Sequence, residues 1–443
     1  MSFLRNHLRW GVVVLLFCTA MLNNLDRMIL SVLAPTLKQD LSFGDVEYSY
    51  VVVAFLAAYA IGYTFCGKVL DRAGVKLGIM GALVFWSLAG MGHAAAVGWF
   101  SLAAFRFLLG LGESFNSPAG VKAIAEWVPR RERGLSMAVF TNGNVLGSIL
   151  APPLVAFLSI RFGWRLAFVI TGSLGLALWT VWLYFYHSPE RHPRITAAER
   201  ALIAADRREA AEDVKVDAAD KPSMLSLFRQ RACVGFFVAR LLTDPITYFF
   251  AFWLPSYLKA ERGFTLAMIG AVGWIPFLAS DVGGPGGGAL SDCLVRHGWR
   301  PRTARLALML LAAACMPMAI LAVFTPCAWF SIACIAVVLG AQSCWMANQL
   351  TLISESVPRT HVASLLALSA LGGSIGGIAA NLFAGRIICT VGYVPVFCTL
   401  AFCHMAAILV LLLTNGKRMG MESNGVPLAS GTVPLPLSES LEI

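Results

Sequence analysis

Charge is what this sequence has least of. Only 13% of its 443 residues are Asp, Glu, Lys or Arg, about half the roughly 25% of a soluble globular domain, which excludes a water-soluble fold. The eleven cysteines contain no Cys-x-x-Cys spacing and fall mostly inside apolar runs, so they read as small packing residues rather than disulfides or metal ligands. No nucleophile–base arrangement or metal-ligand spacing occurs in those runs, which leaves an enzyme without chemistry and implies no cofactor and no metal. Acids are scarcer than bases, but the +10 net charge is spread over alternate polar segments instead of one patch, and this excludes a nucleic-acid face.

What is abundant is apolar surface: 58% hydrophobic residues and a mean hydropathy of +0.73 mark an all-α membrane protein crossing the bilayer many times. Runs long enough for a hydrocarbon core about 30 Å thick occur at 10–33, 47–66, 77–97, 100–125, 134–158, 166–187, 232–256, 265–290, 303–324, 327–349, 362–388 and 394–414, twelve in all. Arg5 and Arg9 before Gly11–Ala20 imitate a secretory signal, yet the apolar run continues to Leu33 without a small-x-small site before its charges, so it is the first span. Of the 34 Lys and Arg residues, 24 fall on the polar segments that share a side with the termini and only 6 opposite. This bias predicts both termini in the cytoplasm. The expected host is a bacterial cytoplasmic (inner) membrane, with the chain acting as a monomer.

The longest hydrophilic stretch divides the spans six and six. The expected organisation is an N-terminal half over 1–187, a linker over 188–231, a C-terminal half over 232–414 and a disordered cytoplasmic tail over 415–443. Thr196–Glu212 is a good helix former, with Thr196 and Glu199 spaced as a capping box. The halves also repeat. Val128-Pro129-Arg130 aligns on Val357-Pro358-Arg359, and the same shift places Gly143 on Gly372, Gly147 on Gly376, Gly163 on Gly392 and Phe168 on Phe397. A second repeat follows spans two and eight: Gly67-x-x-x-Asp71-Arg72-x-Gly74-x-Lys76 and Gly288-x-x-x-Asp292-x-x-x-Arg296-x-Gly298. Parallel repeats imply a pseudo-two-fold axis along the membrane normal and a central cavity between rocking halves.

With these twelve spans, a charged middle loop and the Gly67–Lys76 motif, the chain resembles the major facilitator superfamily over its whole membrane part. That resemblance implies two pseudo-symmetric six-helix halves, and a gating role for Asp71, Arg72, Lys76, Asp292 and Arg296 in charge contacts that lock the cytoplasmic side.

Asp26 and Arg27 stand together inside span one. A charge at mid-bilayer costs at least about 2.5–3.5 kcal/mol on insertion scales, so such a pair is by default part of a substrate or proton pathway. By helical rise, Asp26 lies roughly 24 Å above the cytoplasmic start of span one and Arg106 roughly 9 Å below the external start of span four. The two are therefore at similar depth. Glu113 follows Arg106 by two turns and shares its face, which should look into the cavity. A static ion pair, Asp26 with Arg27 or Arg106 with Glu113, is the plainer reading, but buried pairs are a poor source of stability. A carboxylate there can instead take a proton while its basic neighbour is occupied by an anion.

The local patterns carry a narrower resemblance. Asn24-Leu25-Asp26-Arg27 and Arg106-x-x-x-Gly110-x-Gly112-Glu113-x-x-x-x-Pro118-Ala119 are similar to the span-one and span-four signatures of the anion:cation symporter family. By that resemblance Arg27 binds the substrate carboxylate, Asp26 and Glu113 are the protonatable pair, Arg106 couples to Glu113, and Tyr59 and Asn144 contact a sugar acid. Packing remains open for the last two. Leu242-Thr243-Asp244-Pro245 with Phe249, Phe252-Trp253-Leu254-Pro255, and Gly273-Trp274-Ile275-Pro276-Phe277 followed by Asp281 are similar to the hexuronate-transporter branch, with support from Tyr48-Ser49-Tyr50 and Glu126-Trp127. Not every member of that branch has an acid beside the span-one arginine, which leaves the share of Asp26 open.

Arg240 and Asp244, one turn apart, either pair with each other or present Arg240 to a carboxylate. Trp345, Asn348, Gln349 and Asn381 supply either a stacking ring and hydroxyl-reading amides or packing. Asp281 is read as a gating acid, and the glycines at 372, 373, 376 and 377 as sites of close helix approach. The expectation is thus a proton-coupled importer of a small sugar-acid monoanion such as glucuronate or galacturonate. The alternatives are an importer of an aldonate or aromatic acid, a drug/proton antiporter, for which a more aromatic and acidic cavity is expected, and a transporter-like membrane sensor.

Overall fold

The computed structural model describes residues 7–216, 228–357 and 359–415. The expected disordered tail, the linker stretch 217–227 and Pro358 of the repeated Val-Pro-Arg lie outside the described residues, apart from Asn415. All regular structure within the described residues is helical: α1 (Leu8–Asp40), α2 (Asp45–Gly92), α3 (Trp99–Glu113), α4 (Asn116–Trp127), α5 (Arg130–Phe185), α6 (Ala197–Val216), α7 (Arg231–Arg262), α8 (Leu266–Val272), α9 (Ile275–Arg296), α10 (Pro301–Cys315), α11 (Met318–Phe324), α12 (Ala328–Ser356), α13 (Arg359–Val391) and α14 (Val394–Asn415).

At about 1.5 Å per residue, α2 and α5 would each exceed twice the thickness of a hydrocarbon core if straight. Both turn sharply, α2 at Gly74 (φ 76°) and α5 at Gly163 (φ 80°), in the left-handed region that a Cβ disfavours. Each is therefore two crossings joined by a glycine corner. The 99–127 segment does the opposite and breaks, because Pro118 has no N–H for the carbonyl of Ser114 four residues back. Among the described residues nine helices are individually long and apolar enough to cross a membrane. The two doubled helices and the broken segment account for the remaining apolar runs read from the sequence.

The internal repeat reappears as packing. A Cβ on Gly143 or Gly147 of α5 would lie 2.3 Å from the Phe17 carbonyl oxygen or 2.5 Å from that of Met21 on α1. Their repeat partners Gly372 and Gly376 of α13 stand 2.3 Å and 2.2 Å, by the same measure, from the carbonyls of Phe237 and Leu241 on α7. In lipid, helices gain little from apolar burial and associate by close backbone packing, so small residues at the crossing set the distance. The corners repeat too: Gly163 and Gly392 have φ 80° and 91°, and Gly74 and Gly298, which close the two loop motifs, have φ 76° and 92°.

The core is continuous at one end of the molecule and divided at the other. Towards the loops at 41–44 and 263–265, one cluster joins α1 (Ile29–Leu37) and α2 (Tyr48, Val52) to α7 (Ile246–Leu258) and α13 (Ala384, Ile388). Towards the termini the clusters separate, one within the N-terminal half around Leu16, Trp86, Trp127 and Trp182 and one within the C-terminal half around Phe236, Trp345 and Leu368. At the joined end Tyr48 donates its hydroxyl to the Phe252 carbonyl at 2.8 Å, and Lys259 reaches Gln39 at 3.1 Å. The Lys38 ammonium pairs with Asp45, donates to Ser256 at 3.3 Å and lies over the Tyr48 and Trp253 rings at 4.7 and 5.2 Å.

On the termini side the loop-motif charges stay within their own halves. Asp71 pairs with Lys122 at 2.7 Å, and Asp292 with Arg305 at 2.7 Å, while Arg305 also reaches Glu355 at 3.2 Å. Arg72 and Arg296 are exposed, and Lys76 lines a surface cleft with Glu126 and His187. Asp71 and Asp292 thus make charge contacts between helices on this side, each within its own half.

The linker helix α6 is tied to the N-terminal half. Thr196 Oγ1 accepts the Glu199 N–H at 3.2 Å, the first half of the expected capping box. Glu199 does not return the bond. Its carboxylate accepts instead from the N–H groups of Leu8 and Arg9, each at 3.1 Å, and from the Arg9 guanidinium. It thereby caps the start of α1, where the helix dipole favours an anion. Asp206 does the same for α5, accepting from the Arg130 N–H at 2.8 Å and from Arg133 at 3.2 Å.

Candidate functional site

Four charged residues predicted from the sequence meet where α1 crosses α3. Glu113 is the last residue of α3, at the break set by Pro118, and is fully buried. Arg27 donates to its Oε2 through Nη2 at 3.2 Å and Nε at 3.4 Å. The same guanidinium lies over the rings of Phe55 and Tyr59 at 5.1 and 5.0 Å, a placement that favours a cation. Its side chain keeps 26% exposure while that of Glu113 has none, so an incoming anion meets the arginine and not the acid.

Arg106 is placed differently from expectation. It does not pair with Glu113, because seven residues along one helix face separate the two by about 10.5 Å of rise. Its guanidinium donates instead to main-chain carbonyls of α1, that of Asp26 at 3.2 Å and that of Arg27 at 2.7 Å, and sits 4.5 Å from the Phe55 ring centroid. Arg106 thus fixes the backbone of the residues that carry the chemistry. It is wholly buried and does not reach the cavity surface. Asp26 is buried at 3% exposure, and its Oδ2, like Glu113 Oε1, has no hydrogen-bond partner among the described residues. A buried carboxylate oxygen without a donor is costly as an anion and becomes a donor itself once protonated.

Arg27 opens onto a cavity of about 210 Å³ between the halves. Its walls include Asn24, Phe55 and Ser148 from the N-terminal half and Thr247, Tyr248, Phe277, Ser280 and Asp281 from the C-terminal half. Tyr59, expected either to contact a sugar acid or to pack, lies under the Arg27 guanidinium and is not among the residues of this cavity wall. Asn144 contributes through its main chain, whose carbonyl accepts from Asn24 at 2.7 Å while Asn24 also reaches Ser148 at 2.5 Å.

Several expected contacts lie elsewhere. Arg240 is taken by Asp244, with Nη2 and Nε donating to Oδ2 at 2.7 and 3.0 Å, the one-turn pair that helix geometry favours. A Cβ on Gly373 would fall 1.8 Å from that Asp244 oxygen, so the glycine makes room for the pair. Trp345, Asn348 and Gln349 are at most 1% exposed. Trp345 donates to Gln349 at 2.9 Å and packs edge-on against His404, and Asn348 donates to the Cys344 carbonyl at 2.9 Å. Asn381 accepts from Trp253 and donates to Gly377. In this conformation these residues are packed between helices and do not line the cavity. Asp281, expected to gate by pairing, lines the cavity, and its buried Oδ2 has no partner among the described residues.

Tyr248, Thr247 and Ser280 were not anticipated. Tyr248 could have been found, since it follows Asp244 by one turn on a helix already marked by Pro245. Thr247 and Ser280 carry no such signal, because hydroxyls also satisfy their own helix backbone.

This geometry, with two halves, repeated crossings and a charged cavity between them, is that of a carrier. The model of the Major Facilitator Superfamily matches residues 16–381. The chain belongs to the major facilitator superfamily. This superfamily member is 31% identical over 407 residues to the hexuronate transporter of Escherichia coli (strain K12), a match that covers 91% of this chain and 93% of that one. It is 34% identical over 276 residues to the galacturonate transporter of Dickeya chrysanthemi, covering 62% and 79%, and 33% identical over 308 residues to a probable galactarate/D-glucarate transporter of Bacillus subtilis (strain 168), covering 66% and 67%. Among solved structures, a bacterial homologue of the human lysosomal transporter Spinster superposes with a TM-score of 0.70 at 17% identity, covering 95% of this chain and 99% of that one. A D-xylose–proton symporter also gives 0.70, at 16% identity over 91% and 96%. The facilitator fold and a multi-pass transporter, not an enzyme, follow from these matches.

Proposed function

We propose that this facilitator imports a sugar-acid monoanion of the hexuronate type, such as galacturonate or glucuronate, in symport with protons across a bacterial cytoplasmic membrane, with its termini inside. The observation that carries this reading is the shared guanidinium: Arg27 holds Glu113 on one side and faces the cavity on the other. A substrate carboxylate entering the cavity competes with Glu113 for Arg27. Glu113 then becomes an unpaired buried acid, a state that costs about 3–5 kcal/mol when a partner is removed, and it escapes by taking a proton.

The cycle follows. In the outward-open carrier Glu113 and Asp26 are protonated and Arg27 binds the anion. The halves rock, and the cavity opens to the cytoplasm. Departure of the anion returns Arg27 to Glu113, whose proton leaves on the inner side. The conformation described above, joined at the loop end and divided at the termini end, suits the inward-open, empty member of this cycle. Names of relatives support the substrate class, since those proteins are described as carriers of hexuronate, galacturonate and galactarate/D-glucarate.

Uptake of labelled galacturonate and glucuronate into proteoliposomes with an imposed pH gradient tests the reading. Accumulation that collapses with a protonophore is expected. Equal uptake with and without the gradient would refute the coupling, and no uptake of either acid would refute the substrate class.

A further inference from the structure

Among the described residues of the cavity wall two carry a formal charge, Arg27 from the N-terminal half and Asp281 from the C-terminal half. The first is already used by the proposed reading. The second has an unpartnered, buried Oδ2, and its neighbour Ser280 is occupied by Ser343 at 2.6 Å. Pro285 stands four residues after Asp281 in α9, so the Asp281 carbonyl also lacks the N–H that a regular helix would supply. One point on the wall therefore holds a carboxylate oxygen that no donor among the described residues satisfies. Such a locus takes O–H groups and repels a second anion.

The geometry points to Asp281 as a specificity-determining residue: it receives the hydroxyl end of a sugar acid whose single carboxylate lies on Arg27, and it rejects sugar acids with a carboxylate at both ends. This rests on the proposed substrate class and sharpens it. Overall identity does not make that choice, because relatives described as hexuronate transporters and as probable galactarate/D-glucarate transporters match this chain at 31% to 33%. The cavity does, by setting opposite charges on its two walls. A monoanion with a polyhydroxyl body satisfies both, whereas a dianion leaves one carboxylate against Asp281. Discrimination of this kind works by a repulsive element as much as by an attractive one.

The test compares labelled galacturonate uptake, competed by unlabelled galactarate, in the wild type and in Asp281→Asn and Asp281→Glu. Asparagine keeps the size of the aspartate, removes the charge and adds a donor. We expect galactarate to compete poorly with the wild type, at least tenfold better with Asp281→Asn, and poorly again with Asp281→Glu. Asp281→Asn should also weaken galacturonate several-fold by removing a strong acceptor. Should Asp281→Asn transport neither acid, thermal stabilisation of the purified variant by each acid reads the same ratio. Galactarate competing with the wild type as well as galacturonate does, or an unchanged ratio in Asp281→Asn, overturns the assignment while leaving the proposed function intact. A wild type that carries neither acid overturns the proposed function and this assignment together.

Discussion

Arg27 donates to one oxygen of Glu113 at 3.2 Å, and the other oxygen of Glu113 has no partner among the described residues. The pair is complete as a charge balance and incomplete as a hydrogen-bond set. That combination suits an acid which must give up its arginine and accept a proton in turn, more than a pair kept for rigidity. The consequences are open to measurement.

Arg27→Ala should abolish both exchange and accumulation of the sugar acid, because among the described residues no other cation lines the cavity. It should also lower the amount of folded carrier, since it leaves Glu113 buried and unpaired at a cost of about 3–5 kcal/mol. The double variant Arg27→Ala with Glu113→Gln separates the two effects. Recovery of folded protein without recovery of binding, read by size-exclusion profile and ligand-induced thermal shift, is the expected outcome.

Arg106→Lys should cost activity although Arg106 is sealed off from the cavity. Its two donors bridge the carbonyls of Asp26 and Arg27 with the fork of one guanidinium, and a lysine ammonium cannot span both with that geometry. We expect a drop in the maximal rate of roughly tenfold or more with a smaller change in half-saturation, measured as initial uptake against substrate concentration.

The cluster around Lys38 closes the joined end. Lys38→Met removes its contacts to Asp45, Ser256, Tyr48 and Trp253 together and should shift the population towards the conformation open on that side. Spin labels at the exposed positions Ser42 and Ala260, in a background with accessible cysteines replaced, would report this as a gain of longer distances. An unchanged distance distribution would mean that the apolar cluster alone closes this end.

Gly147→Leu and Gly376→Leu should be comparably damaging. Each glycine meets a carbonyl of the partner helix, with a Cβ separation of 2.5 Å at Gly147 and 2.2 Å at Gly376. The rigid backbone on the other side cannot yield as a flexible side chain would. Loss of folded carrier in both variants is expected, whereas Gly134→Leu, where a Cβ meets nothing within 4 Å, should be tolerated.

Much of the fold was legible because lipid simplifies the problem. Apolar length gave the crossings, and the repeated glycines at 143 and 372 marked the same helix contact in each half. The charged cluster was legible for the same reason, since Asp26, Arg27, Arg106 and Glu113 are too costly in lipid to be incidental. What the sequence did not settle was pairing. Arg106 and Glu113 share a face, yet their axial separation sends them to different partners. Arg240 and Asp244 were equally consistent with a pair and with a binding site until distance chose the pair. By type alone Trp345, Asn348 and Gln349 were equally consistent with sugar contacts and with packing, and only the packing of α12 against α10 turns them inward. Tyr248 and Asp281 depend on how the two halves meet, which no single segment records.

The central claim is that Glu113 is the acid whose proton is exchanged against the substrate on Arg27. The measurement that meets it most directly is a pair of assays on Glu113→Gln in proteoliposomes: counterflow of labelled galacturonate against an internal unlabelled pool, and concentrative uptake driven by a pH gradient. Glutamine mimics the protonated acid and leaves Arg27 free for the anion, so counterflow at a rate near that of the wild type with no concentrative uptake is the predicted result. Normal proton-driven accumulation by Glu113→Gln would contradict it.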